Sequence, residues 1–360
     1  MQVTRSGTSL PKADTAYSKD ELYYKLKGTT VRLPDLRPVF RGWRGIDTPH
    51  INPYYESLKL KVAEKLASLN LHPKKENSLK RADLALFAAL WWPDVPPEQL
   101  ETLANIAIWV FTWDDEVDEP SGSYAEDYHR AQAYRNNTTR FIGVSLGLEP
   151  ADPNLVPMDA IVQSFDAIGT GLRRSYDEAQ LRRFHDRVVR FVSATEVEQR
   201  HQLQLSESAD AGDDDASGVP TLEAYMANRA GTSAVDITSA SAEFGLSLHL
   251  PRDLVEGEAV AALWRETNLL FSITNDLVSF RKEFRTGSVE NMVPLTFATT
   301  FDMGVAVAQL VGALQASRDR FDKAADALLA EAERRGCSKS DVESYIQLLR
   351  NNNVGNLVWR

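Results

Sequence analysis

The sequence predicts an all-α protein, and three observations carry the prediction. Apolar residues recur at helical spacing in one segment after another from about residue 52 onward. Sustained apolar–polar alternation and Asn-Gly hairpin turns are missing, so strands have no local support. No self-similarity of fixed period runs along the chain, which excludes solenoids and propellers.

Taken in order, residues 1–50 are expected to be irregular, because Pro34, Pro38 and Pro49 recur among arginines and apolar residues. Asn52-Pro53-Tyr54-Tyr55-Glu56 then opens a helix ending near Ala67. Residues 79–91 form an Ala-rich apolar helix stopped by Pro93, and 97–118 form another long one. Helices are expected over 159–172, 178–205, 220–228, 234–246, 259–285, 301–335 and 339–349. Residues 206–218, rich in Ser, Asp, Ala and Gly, cannot bury a face and are expected to form a surface loop. Its Asp213, Asp214 and Asp215 are read as solvated charge, since nothing fixes their geometry.

The 360 residues, 43% of them apolar, suffice for a large core in one big helical domain or in two. One cysteine, Cys337, precludes an internal disulfide and suits the cytoplasm. Residues 1–23 lack the apolar core of a secretory signal, and apolar runs such as 84–92 fall short of the ~20 residues of a membrane span. A net charge of −11 without a dense basic patch argues against nucleic-acid binding. A polyanionic substrate would therefore need a concentrated local source of positive charge.

Two polar clusters interrupt the apolar helices. Residues 103–113 are apolar on nearly all sides (Leu103, Ile106, Trp109, Phe111 and Trp113 among them), which places this helix in the interior. It ends in Asp114-Asp115-Glu116-Val117-Asp118-Glu119, followed by Pro120. Carboxylates on the last turn repel one another and meet the negative end of the helix dipole. A hard cation resolves that conflict: Asp114 and Asp118, four apart, share a face, and magnesium takes one or two carboxylates while keeping water and phosphate oxygens.

The second cluster is Asn275-Asp276-Leu277-Val278-Ser279-Phe280-Arg281-Lys282-Glu283. Asn275, Ser279 and Glu283 line up at four-residue intervals and offer only oxygen, which again suits magnesium or manganese over zinc. Trp264, Asn268 and Phe271 precede them on the same face, while Arg281 and Lys282 lie beside the stripe within reach of phosphate oxygens. Tyr225 and Arg229 are also four apart, and Gly231-Thr232-Ser233 is expected to break their helix. On its own such an arginine reads as a surface residue.

Together these residues resemble a family. Asp114-Asp115-Glu116-Val117-Asp118 is similar to the aspartate-rich motif of class I terpene synthases, and the segment from Asn275 to Glu283 matches their Asn-Asp-x-x-Ser-x-x-x-Glu triad. Lys282 falls where many fungal members carry a diphosphate-binding lysine, and Arg229, 46 residues before Asn275, where the family places its diphosphate-sensing arginine. Thr232 and Ser233 then fall on the linker and effector positions. Asn52-Pro53-Tyr54-Tyr55 resembles the segment that folds over the closed site, and Gly355-Asn356-Leu357-Val358-Trp359 the start of the C-terminal motif. The family continues past that tryptophan to an Arg-Tyr pair, to which Arg360 does not correspond.

The resemblance implies a single domain of antiparallel helices around a central apolar cavity, with residues 1–50 as an N-terminal lid segment and 51–360 as the cyclase domain. It implies three Mg2+ ions, with Mn2+ as a substitute, on Asp114, Asp118, Asn275, Ser279 and Glu283. Arg229 and Lys282 would hold the diphosphate. Phe87, Trp91, Trp109, Phe111, Phe271 and Trp359 are the aromatic candidates for the substrate cavity, two or three of them expected to line it. The expected reaction is that of a fungal sesquiterpene cyclase of secondary metabolism. Farnesyl diphosphate, or its longer geranylgeranyl homologue, would be ionised and cyclised to a hydrocarbon or alcohol with release of diphosphate. A homodimer is compatible with the sequence. A prenyl chain-elongating transferase would want a second aspartate-rich motif, where this chain has Asn, Ser and Glu. A non-catalytic helical binding protein would have no use for the intact metal set.

Overall fold

The computed structural model describes residues 17–119, 121–153, 155, 159–211 and 218–359. Pro120, Asp213, Asp214, Asp215 and Arg360 lie outside the described residues. The chain is helical, as expected, and among the described residues the only strand-like contact is an isolated antiparallel bridge between Ser18 and Gly218.

Five helices make the first half: α1 (Lys19–Leu26), α2 (Tyr55–Ser68), α3 (Pro73–Ala82), α4 (Leu84–Trp91) and α5 (Pro97–Val117), with a 3-10 turn at Arg37–Phe40. Then come α6 (Tyr128–Ser145), α7 (Ala160–Gln163), α8 (Phe165–Arg173), α9 (Glu178–Ala211) and α10 (Leu222–Thr232). The chain closes with α11 (Val235–Ala240), α12 (Ala242–Gly245), α13 (Arg252–Val255), α14 (Glu258–Arg285), α15 (Met292–Thr300), α16 (Met303–Arg335) and α17 (Lys339–Trp359).

Several elements depart from expectation. α1 forms inside the stretch read as irregular: Ser18 and Glu21 make a reciprocal capping box, and Leu22 and Leu26 are buried. The apolar run before Pro93 is two helices, because Asp83 turns left-handed (φ 54°) and its carboxylate caps Leu86 N. α6 has no counterpart among the expected helices; Asn136, Asn137, Thr138 and Thr139 are weak helix formers that masked it, and Asp127 caps it. α15 was hidden for another reason: Met292 through Ala298 are all buried, so no apolar period shows. α9 continues to Ala211, into residues expected to loop out.

α17 runs to Trp359 rather than stopping near 349. The Asn351-Asn352-Asn353 run reads as a terminator, yet all three are buried and bonded. Asn352 Nδ2 donates to Trp91 O at 2.9 Å, Asn353 Nδ2 to Leu349 O at 3.0 Å, and Asn351 Oδ1 accepts from Gln347 at 2.8 Å. Gly355 lets α17 approach α4: a β-carbon there would stand 2.8 Å from Leu90 O.

α14 packs on α16 and α17, α5 on α4 and α8, and α9 on α6, α10 and α11. Trp91, Trp92, Trp109 and Trp113 are fully buried, each contributing on the order of 1.5–3 kcal/mol by burial. No described helix is long and apolar enough to cross a membrane.

Candidate active site

The last turn of α5 divides its acids between two sides. Lys75 of α3 takes the outer pair, Glu116 at 2.9 Å and Asp115 at 3.6 Å. A lysine thus resolves part of the repulsion that the sequence reading assigned wholly to metal. Asp114 and Asp118 turn inward. Asp118 Oδ1 accepts from Gln202 Nε2 of α9 at 2.9 Å. Burial pushes the Asp114 carboxyl well up, helped by the charges of Asp118, Glu198 and Asp115. Burial likewise raises Asp118, and it pushes Glu198 up to about 8, with the Asp118 charge as the next cause. Burial and like charge thus weaken all three as acids, a conflict that a cation beside them would relieve.

The second cluster lies along α14. Asn275 and Ser279 are buried and Glu283 is half-buried. Asn275 Oδ1 accepts from Arg229 Nη2 at 3.1 Å. Arg229 Nε stands 3.6 Å from Asp276 Oδ1, whose other oxygen accepts from Tyr225 Oη at 2.8 Å and Met292 N at 2.9 Å. Burial works against the Arg229 charge, but Tyr225, Asp276, Glu198 and Glu283 outweigh it and drive its pKa upward, so the guanidinium is firmly charged. The same guanidinium pulls the pKa values of Asp114 and Asp118 down, offsetting part of the rise that burial causes. Arg229 is therefore the group through which the two acidic helix ends feel one another, not the surface residue that a lone arginine suggests.

Beneath both ends lies an aromatic wall. Phe111 is one turn below Asp114 and Asp115, and Phe271 one turn below Asn275. Phe87 contacts Trp91 (ring centroids 4.4 Å), Phe111 (5.7 Å) and Trp359 (5.1 Å), and Trp91 reaches Phe271 at 5.7 Å. Rings from α4, α5, α14 and α17 thus make one continuous surface. Trp359 is fixed by its indole N–H donating to Ala82 O at 2.8 Å. Trp109 points elsewhere, stacking on Trp113 at 5.8 Å and meeting Phe165 at 5.1 Å, so it belongs to the core between α5 and α8. Trp264 and Asn268 share that face of α14 further from its C-terminal end, where other helices engage them. Trp264 Nε1 donates to Tyr345 Oη at 2.7 Å, and Asn268 holds Ala230 O at 2.9 Å and Asp236 Oδ1 at 3.2 Å. Asn268 thereby secures the break between α10 and α11, which falls at Ser233 and Ala234 (φ 58°), overlapping the expected Gly231-Thr232-Ser233 at Ser233.

The donor set fits a hard divalent cation. Among the described residues Ser279 Oγ is buried with no hydrogen-bond partner, on one stripe with an amide oxygen and a carboxylate. Among the described residues no three His, Cys, Asp or Glu side chains converge as a metal site, so a cation here would draw on one or two carboxylates plus neutral oxygens.

Residues 105–312 match the family described as terpene synthase family 2, C-terminal metal binding. The chain belongs to that family. The match runs through both oxygen clusters and Arg229, and the family assignment carries divalent-metal dependence and a prenyl diphosphate substrate. Among curated proteins the chain is 30% identical to sesquiterpene cyclase hepA of Aspergillus oryzae over 343 residues, covering 93% of this chain and 88% of that one. It is 26% identical to silphinene synthase peniA of Penicillium patulum, over 93% of this chain and 85% of that protein. Among solved structures the linalool/nerolidol synthase of Streptomyces clavuligerus superposes with a TM-score of 0.71 at 17% identity, covering 86% of this chain and 96% of that one. This terpene synthase therefore has the class I helical fold.

Lys282 of the terpene synthase is exposed and makes no ion pair among the described residues. Seven residues past Asn275, about two turns, it stands on the Asn275 side of α14, at its outer rim. Sequence reasoning missed Glu198, Gln202 and Asn291. Phe184, Val188, Phe191 and Thr195 form the buried stripe of α9, and Glu198 and Gln202 continue it. A carboxylate extending an apolar stripe was the available signal.

Proposed function

We propose that this terpene synthase is a sesquiterpene cyclase acting on farnesyl diphosphate with magnesium. The observation that carries the reading is two oxygen-bearing helix ends, linked through Arg229, one turn above a shared aromatic wall. The names of the two fungal relatives point the same way.

Asp114 and Asp118 on α5, and Asn275, Ser279 and Glu283 on α14, are the residues to hold Mg2+, three ions by the family likeness, with Mn2+ able to substitute. When bound there, such ions supply Lewis-acid neutralisation of the leaving diphosphate. Arg229 donates to the diphosphate oxygens from inside and Lys282 from the rim. The allylic C–O bond breaks heterolytically and its electron pair departs with the diphosphate. A substrate π bond then supplies the pair for the new C–C bond. Loss of a proton from carbon gives a hydrocarbon; addition of water and loss of its proton gives an alcohol. Phe87, Trp91, Phe111, Phe271 and Trp359 keep water from the cation and stabilise it by about 0.5–2 kcal/mol per well-placed ring.

We take residues 1–50 as the covering segment and 51–360 as the catalytic domain. In support, Tyr23 stacks on Phe284 near the end of α14 at 4.7 Å, and Val219 N donates to Tyr17 O at 2.8 Å. The single cysteine, Cys337, suits the reducing cytoplasm in which we place the enzyme.

Incubation of purified enzyme with farnesyl diphosphate and Mg2+, followed by gas chromatography–mass spectrometry, tests the proposal. Cyclic fifteen-carbon products are expected, lost in Asp114→Ala and Asn275→Leu with the helical circular dichroism intact. Longer prenyl diphosphates, or undiminished turnover by Asp114→Ala, would overturn it.

A further inference from the structure

Among the buried polar groups near the candidate site, Asn291 is engaged on three sides by groups of two elements, α14 and α15. Asn291 is 0% exposed and sits at the N-cap of α15. Its Oδ1 accepts from Val293 N at 2.8 Å. Its Nδ2 donates to Glu283 Oε2 at 2.9 Å and to the Asp276 carbonyl at 3.0 Å. These partners also fix which end of the amide is which: Val293 N can only donate, and the other two can only accept.

We propose that Asn291 is a positioning residue that aims the Glu283 carboxylate into the metal stripe and locks α15 against the metal-bearing end of α14. This rests on the reading of Glu283 as a metal ligand. Glu283 lies two residues from the end of α14, on the half-exposed last turns of the helix, where a long flexible side chain has many rotamers. One oxygen bound by a buried amide leaves the other free to face Ser279 and Asn275. A neutral amide donor does this without adding positive charge that would compete with a cation, which a lysine or arginine at that position would bring. The neighbouring backbone reinforces the arrangement, since Met292 N donates to Asp276 Oδ2, the carboxylate that also faces Arg229. The α14–α15 connection thus supports the outer ligand and the arginine from one short turn. Residues that orient a metal ligand by hydrogen bonding typically cost about 10–100-fold in metal affinity when removed.

The two ends of the Asn291 amide can be separated by substitution. Asn291→Ser keeps an N-cap acceptor and loses both donated bonds. Asn291→Asp also keeps the cap but places a second carboxylate against Glu283. Asp302→Ala serves as a control: it deletes the cap of α16, where Asp302 Oδ1 accepts from Val305 N at 2.9 Å, beyond the other end of α15 from Asn291. Thermal unfolding is followed in EDTA and across a magnesium titration with inorganic diphosphate, alongside KM and kcat.

The expected result is that the magnesium concentration giving half of the thermal shift rises about 10–100-fold in Asn291→Ser and further in Asn291→Asp. Asp302→Ala should lower the metal-free midpoint and leave the magnesium dependence as in wild type. Titration curves for both Asn291 variants that coincide with wild type would overturn the proposal. A wild-type protein that shows no shift with magnesium and diphosphate would instead overturn the metal-site reading on which it rests.

Discussion

Replacing Ser279 by alanine should stabilise the metal-free protein while disabling the enzyme. The hydroxyl is buried on α14, 8% of the residue exposed, and has no hydrogen-bond partner among the described residues. A buried polar group without a partner costs about 1–3 kcal/mol, and alanine is also the better helix former by a few tenths. At about 2.1 cal/mol/K of unfolding entropy per residue, each kcal/mol is worth about 1.3 °C for a chain of 360 residues. The metal-free melting temperature should therefore rise by about 1–4 °C. Loss of one ligand oxygen should lower turnover by about 10²-fold or more, the equivalent of several kcal/mol of charge stabilisation. Scanning calorimetry in EDTA, repeated with magnesium and diphosphate, reads both sides. A lower melting temperature in EDTA, or a metal-induced shift as large as in wild type, would refute the reasoning that this hydroxyl is reserved for a cation.

Other consequences follow from neighbouring groups. Arg229→Ala leaves Asp276 and Asn275 without their cationic partner and should lower kcat by about 10²-fold or more, read in steady-state assays. Glu198 titrates at about 8 in the fold against an ordinary 4.5, so the metal-free fold holds a proton that the unfolded chain has released. Its stability should fall as pH rises from about 4.5 towards about 8; Glu198→Gln should flatten that slope in melting scans. Gly355→Ala forces a β-carbon to 2.8 Å from Leu90 O and should cost about 1–3 kcal/mol, visible as a lower denaturation midpoint.

Much of the site was legible in the sequence because its chemistry is written in spacing. Asn275, Ser279 and Glu283 recur every four residues, which a helix must place on one stripe. Phe111 and Phe271 could be singled out as cavity candidates because each sits one turn from an oxygen-bearing residue proposed as a ligand. Trp109 was not, since α5 is apolar all round and periodicity cannot say which face meets α4 and which meets α8. The division of the α5 acids was hidden because the partner of Asp115 and Glu116 is Lys75, on another helix. Asn291 escaped for a similar reason: its three partners are separate in chain or role, and only the fold brings Glu283, Asp276 and Val293 around one amide. Helices α6 and α15 were missed where propensity was weak or burial complete, so tertiary packing decided them.

The most direct test is anomalous scattering from crystals grown with Mn2+ and diphosphate. Manganese peaks on Asp114 and on the Asn275–Ser279–Glu283 stripe, with diphosphate between them and within reach of Arg229, are the predicted result. Manganese confined to the Asp115–Glu116 side near Lys75, or absent from the space between α5 and α14, would contradict the account.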